Sequence, residues 1–76
     1  MEEIQKITIG EARIRTKFNV SGNSMVDKIK THTAQLINIT SALNEENQSS
    51  EKDRLVKLAL DRYEEAAMWA VKAATA

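Results

Sequence analysis

Ser24-Met-Val-Asp-Lys-Ile-Lys-Thr-His-Thr-Ala-Gln-Leu-Ile-Asn-Ile-Thr-Ser-Ala-Leu-Asn-Glu-Glu46 decides the fold. Val26, Ile29, Thr33, Leu36, Ile37, Thr40 and Leu43 recur at three- and four-residue spacing, which is one face of a helix. Ser24 reads as the N-cap, with Asp27 as the acidic partner of a capping box. The pattern stops at Asn47-Gln-Ser-Ser50, a polar turn. Ser50 and Asp53 then repeat the start signal, and Leu55, Leu58, Ala59, Arg62, Ala66, Trp69, Ala70 and Ala73 form a stripe on a second helix. Two helices of similar length joined by a short turn make an antiparallel hairpin. The expected class is all-α, one domain over 1–76, with an N-terminal arm (1–23), helix (24–46), turn (47–50) and helix (51–75).

The second helix carries more apolar surface than a hairpin covers. Val56, Leu60, Tyr63, Ala67 and Val71 form another seam beside the first stripe. A hairpin has one internal interface, and large apolar patches rarely stay exposed on a monomer. The alanines from Ala66 to Ala74 would let helices approach closely. A homo-oligomer is the expectation; the competing reading folds the N-terminal arm back over the second seam.

The arm itself alternates. Ala12, Ile14, Thr16, Phe18 and Val20 interleave with Arg13, Arg15, Lys17 and Asn19, and period two predicts an extended segment. Residues 2–9 read as a short helix or an edge strand. Arg13, Arg15 and Lys17 gather positive charge just before the chain's only phenylalanine and a glycine-containing turn. Arg13 and Arg15 would point the same way from an extended arm, into solvent or onto Glu64 or Glu65 of a neighbour.

Composition excludes several functions. The 76 residues carry zero net charge and no cysteine. A general binder of long nucleic acid is normally strongly basic, so the local cation cluster suits a small anion instead. Without cysteine there is no disulfide framework or thiolate metal site, and the lone His32 does not make a metal cluster. No apolar run approaches the roughly 20 residues of a membrane span, and the acidic start Met1-Glu2-Glu3 lacks the charge pattern of a secretory signal. Cysteine-free composition fits a reducing cytoplasm. Catalysis needs a nucleophile or an acid–base pair in a shielded pocket. Ser21, Ser24, Ser49 and Ser50 have no paired histidine, and the carboxylates fall on caps and exposed helix positions. An enzyme, a cofactor and a metal are therefore not expected.

Two segments carry a family resemblance. Arg15-Thr-Lys-Phe-Asn-Val-Ser-Gly-Asn23 with Val26-Asp-Lys-Ile-Lys30 resembles the N-terminal signature of the anti-CBASS protein 2 family. Glu65-Ala-Ala-Met-Trp-Ala-Val-Lys-Ala73 resembles the C-terminal helix of the same family, whose hairpin domain also occurs in anti-Thoeris protein 1. The resemblance runs from about Ala12 to Thr75. It implies a phage protein that acts in the host bacterial cytoplasm as a sponge for cyclic oligonucleotide messengers of anti-phage defence, binding without cleavage. It also implies hexamers of hairpins, with cyclic dinucleotides between paired subunits and, in some members, cyclic trinucleotides around the threefold axis.

On that resemblance Lys30 matches a lysine that contacts phosphate, and Phe18, where the family can carry tyrosine, stacks on a base. Base–aromatic stacking contributes roughly 1–3 kcal/mol per base in single-strand binders. Asn19, Ser21 and Asn23 are expected to supply hydrogen bonds, Lys28 a weaker charge contact, and the N–H groups after Ser24 an anion-binding helix start. A trinucleotide site would draw on Lys57 and Arg62. Met68 and Trp69 read as packing residues, Tyr63 as a hydrogen-bonding group at a subunit contact, and His32 as a residue without a special role. The alternative function is an oligomeric helical-hairpin interaction module with the basic arm as its docking strand.

Overall fold

The computed structural model describes residues 7–16, 22–45 and 49–76. Among these residues three α-helices follow one another: α1 (Ile9–Ile14), α2 (Ser24–Ala42) and α3 (Ser50–Ala74). A single 3₁₀ turn, Leu43–Glu45, extends α2. The described residues form no strand. The hairpin of α2 and α3 is as expected, with each N-cap one residue earlier. Asn23 caps α2, its side-chain oxygen accepting from the N–H of Met25 at 2.8 Å and of Val26 at 3.4 Å. Ser49 caps α3 by accepting from the N–H of Lys52 at 3.0 Å. Asparagine caps as well as serine does, and with the caps moved back Asp27 and Asp53 sit one position too deep to close a box. They remain in the first turn, where the helix dipole favours them.

The arm departs from expectation. Ile9–Ile14 is helical, so residues 12–14 are not extended as expected; residues 17–20 of that expected segment lie outside the described residues. A capping box starts it: the Glu11 N–H donates to Thr8 Oγ1 at 3.1 Å, and the Thr8 N–H donates to Glu11 Oε1 at 3.2 Å. Two orphan donors are thereby satisfied, which lets a helix this short begin. Gly10 and Ile14, four residues apart, are its buried positions. The alternation that suggested a strand begins inside this helix, and Ala12 is exposed. α1 ends at Arg15, which adopts the left-handed conformation (φ 56°) and returns its N–H to the Glu11 carbonyl at 2.9 Å.

α1 crosses α2 at Gly10. A Cβ on Gly10 would collide with the carbonyl of Ala34 and lie 2.7 Å from Asn38 Oδ1. The same Asn38 oxygen accepts from the Gly10 N–H at 2.7 Å, and Asn38 Nδ2 donates to Thr8 Oγ1 at 3.1 Å. One asparagine thus pins both the start and the first turn of α1. Glycine is required because the two backbones touch.

The core joins all three helices: Ile14, Ala34, Ile37, Val56, Leu60 and Ala67, with Tyr63 packed alongside. Ile37 is fully buried. This reverses the expected roles of the two α3 seams. The seam of Val56, Leu60, Tyr63 and Ala67 faces inward, and Leu55, Leu58 and Trp69 of the other stripe are exposed. The outward stripe carries the charged Arg62, which stays exposed, whereas the inward seam has no charged residue to desolvate. Tyr63 accordingly packs within its own chain.

Candidate functional site

The crossing of α1 over the hairpin leaves an open groove of about 220 Å³. Arg13, Ile14 and Arg15 line it from α1 and its end, Lys30 from α2, and Glu64, Ala67, Met68 and Val71 from α3. Ala67, Met68 and Val71 lie at i, i+1 and i+4, a spacing that presents one side of a helix. The groove therefore has an aliphatic wall and a cationic rim. Lys30 is half-buried there, and its Nζ donates to the Arg15 carbonyl at 3.3 Å.

The three cations of the groove are not equivalent. Arg13 Nη2 donates to Asp61 Oδ1 at 2.8 Å and to Glu64 Oε2 at 3.1 Å. Its side chain is only 27% exposed, so this pair of contacts is partly shielded. Arg13 was expected to face solvent or a neighbour's acid from an extended arm; instead the α1 helix swings it onto two carboxylates of its own chain. Its Nε is buried with no hydrogen-bond partner among the described residues. The cluster of Arg13, Asp61 and Glu64 carries one net negative charge, so among the described residues positive potential at the groove comes from Lys30 and Arg15. Arg15 is exposed, and its guanidinium has no hydrogen-bonding or ionic partner among the described residues.

Of the ligand-contact residues that the resemblance implies, Lys30 is in the groove. Lys28 is exposed on α2, about 200° around the helix from Lys30. Its carbonyl accepts from His32 Nδ1 at 2.7 Å. Asn23 caps α2 and also ties the hairpin shut, Nδ2 donating to the Ala74 carbonyl at 3.5 Å. The helix start expected to hold an anion is thus largely occupied, because Met25 and Val26 already donate to Asn23. Phe18, Asn19 and Ser21 lie outside the described residues. Lys57 and Arg62 are exposed on α3 about 140° apart around its axis, so one chain does not bring them together. Arg62 Nη1 donates to Glu65 Oε1 at 3.4 Å.

Sequence reasoning counted Arg15 in a cation cluster suited to a small anion but did not carry it to the site, and it missed the α3 wall of Ala67, Met68 and Val71. The signal for the wall was present in the C-terminal motif, but its orientation depends on which α3 seam turns inward. Among the described residues no cluster of three or more His, Asp or Glu could hold a metal ion. Nor, among them, is any helix long and apolar enough to cross a membrane.

A two-helix hairpin braced by a short crossing helix, with a cation-rimmed groove at the brace, defines a helical-hairpin domain. The family model described as Acb2/Tad1, hairpin domain, matches residues 9–75, and the chain belongs to this family. No individual curated protein and no solved structure gave a significant match.

Proposed function

We propose that this protein is a phage anti-defence sponge. It binds cyclic oligonucleotide second messengers such as 3′,3′-cyclic GMP-AMP, holds them without cleavage, and so keeps CBASS effectors inactive in the host cytoplasm. The observation that carries this reading is a convergence. The two sequence segments that resemble the family lie far apart in the chain, yet Arg15 and Lys30 from the first meet Ala67, Met68 and Val71 from the second in one groove. An aliphatic wall suits the face of a purine, and two cations suit phosphodiesters. Lys30 is the phosphate contact, and Phe18 of the adjoining segment is the stacking ring. Sequestration rather than turnover fits the lining, where Glu64, the one carboxylate among the described lining residues, is engaged by Arg13.

The groove is open on one side, and closure comes from a second subunit in a hexamer of hairpins. The exposed Leu55, Leu58 and Trp69 favour such assembly. A sealed ligand leaves slowly, and differences in affinity reside mostly in the off-rate. A separate cyclic trinucleotide site would use Lys57 or Arg62 from several subunits.

Calorimetry with a panel of cyclic di- and trinucleotides tests the reading. Sub-micromolar binding, with intact nucleotide recovered after denaturing the protein, is the expected result. Absence of binding across the panel would reject the sponge. The same exposed apolar residues also suit a second reading, a module that docks a protein partner; assembly without nucleotide affinity would favour it.

A further inference from the structure

We propose that Arg15 is the second phosphate-binding cation of the Lys30 groove, and that the pair selects ligands with two phosphodiesters over those with one. This rests on the sponge reading above and adds a residue and a selectivity to it. A cyclic dinucleotide brings two negative charges. Lys30 answers one of them. Arg13 is already committed to Asp61 and Glu64. Lys28 is on another face of α2. Among the described groove residues, Arg15 is left to answer the second charge.

Its placement fits that task. The Arg15 backbone is held at both ends, the N–H by the Glu11 carbonyl at 2.9 Å and the carbonyl by Lys30 Nζ at 3.3 Å. Arg15 lines the groove and is exposed, and its guanidinium is unengaged among the described residues. A left-handed residue ending a helix is usually glycine or asparagine, yet here it is an arginine with φ 56°. A helix cap does not need a guanidinium. A forked donor beside a lysine suits phosphate oxygens, which arginine binds in bidentate fashion.

Arg15→Asn provides the test, because asparagine tolerates the left-handed conformation while removing the charge. Titration of wild type, Arg15→Asn and Arg15→Lys with 3′,3′-cyclic GMP-AMP should show Arg15→Asn weakened about tenfold, as expected for losing a charge-assisted contact. Its affinity should also depend less on salt. Arg15→Lys should fall between, since it keeps the charge but not the fork. Affinity for cyclic GMP, with one phosphodiester, should be unchanged by Arg15→Asn. Dinucleotide binding by Arg15→Asn within twofold of wild type, while Lys30→Gln weakens it, overturns the role of Arg15 and leaves the sponge intact. A markedly lowered melting temperature in Arg15→Asn makes the residue structural and overturns the inference. Wild-type protein that binds no cyclic dinucleotide or trinucleotide rejects the sponge reading itself, and this inference with it.

Discussion

At the scale of single residues, Gly10 and Asn23 show how local chemistry fixes position. Replacing a helical glycine by alanine ordinarily stabilises by up to about 1 kcal/mol. At Gly10 the sign reverses, because the new Cβ meets the backbone of Ala34 and not a side chain that can move. Gly10→Ala should lower stability by about 1–3 kcal/mol, as overpacking does, read by urea denaturation. It should also weaken nucleotide binding, since α1 carries Arg15 to Lys30. Unchanged stability would mean that α1 does not cross α2 this closely. Asn23 sits in the motif that resembles the family, so sequence made it a ligand contact. Its side chain instead accepts from two N–H groups and reaches Ala74. Asn23→Ala should therefore cost about 1 kcal/mol of stability, the usual effect of losing a cap, and affect binding only through the fold. Lost affinity at unchanged stability would restore it as a ligand contact.

At the scale of elements, length separates what was legible from what was not. α2 and α3 each show several turns of apolar periodicity, and a polar turn without apolar content divides them. α1 has six residues, too few for a period to register, and the alternation that starts at Ala12, within it, imitated an extended segment there. Thr8-x-x-Glu11 was the usable signal, a capping box directly before Ile9. The site was legible in the same uneven way. Lys30 stood out through its motif, whereas Arg15 and the α3 wall depend on α1 being helical and on the orientation of α3. At the start of α3, Arg54 donates to Glu51 at 2.8 Å and 3.1 Å. That hydrogen bond holds the Glu51 carboxyl below its ordinary pKa, opposed by slight desolvation. A carboxylate with a depressed folded pKa stabilises above its unfolded pKa and ceases to do so as pH falls through the folded value. Glu51→Gln should lower the melting temperature slightly at pH 7 and not at all near pH 2. An equal difference at both pH values would mean that the ion pair contributes nothing. The effect will be small, because both groups are exposed.

At the scale of the whole molecule, the apolar surface is too large for the core. Six side chains form the buried cluster, while Ile39 is 66% and Trp69 54% exposed. Leu55, Leu58 and Met68 are about half exposed as well. The described residues are thin, 12 Å in their shortest dimension, which leaves little depth for a larger core. The expected surplus seam was therefore real, although its residues were exchanged with those of the buried one. Trp69 is the sharpest probe. Lys72 Nζ stands 5.2 Å from its ring centroid, a cation–π contact on the outer side of α3. Burying the exposed half of a tryptophan removes about 100 Å² from water, worth about 3 kcal/mol per subunit. Trp69→Ala removes that gain without touching the α2–α3 core. In sedimentation it should shift the protein towards smaller species at micromolar concentration, while its circular dichroism stays helical. On the proposed function, nucleotide affinity should then fall with assembly. A Trp69→Ala protein that sediments like wild type would place the tryptophan outside the interface. One that dissociates yet binds nucleotide undiminished would show that a single chain completes the site.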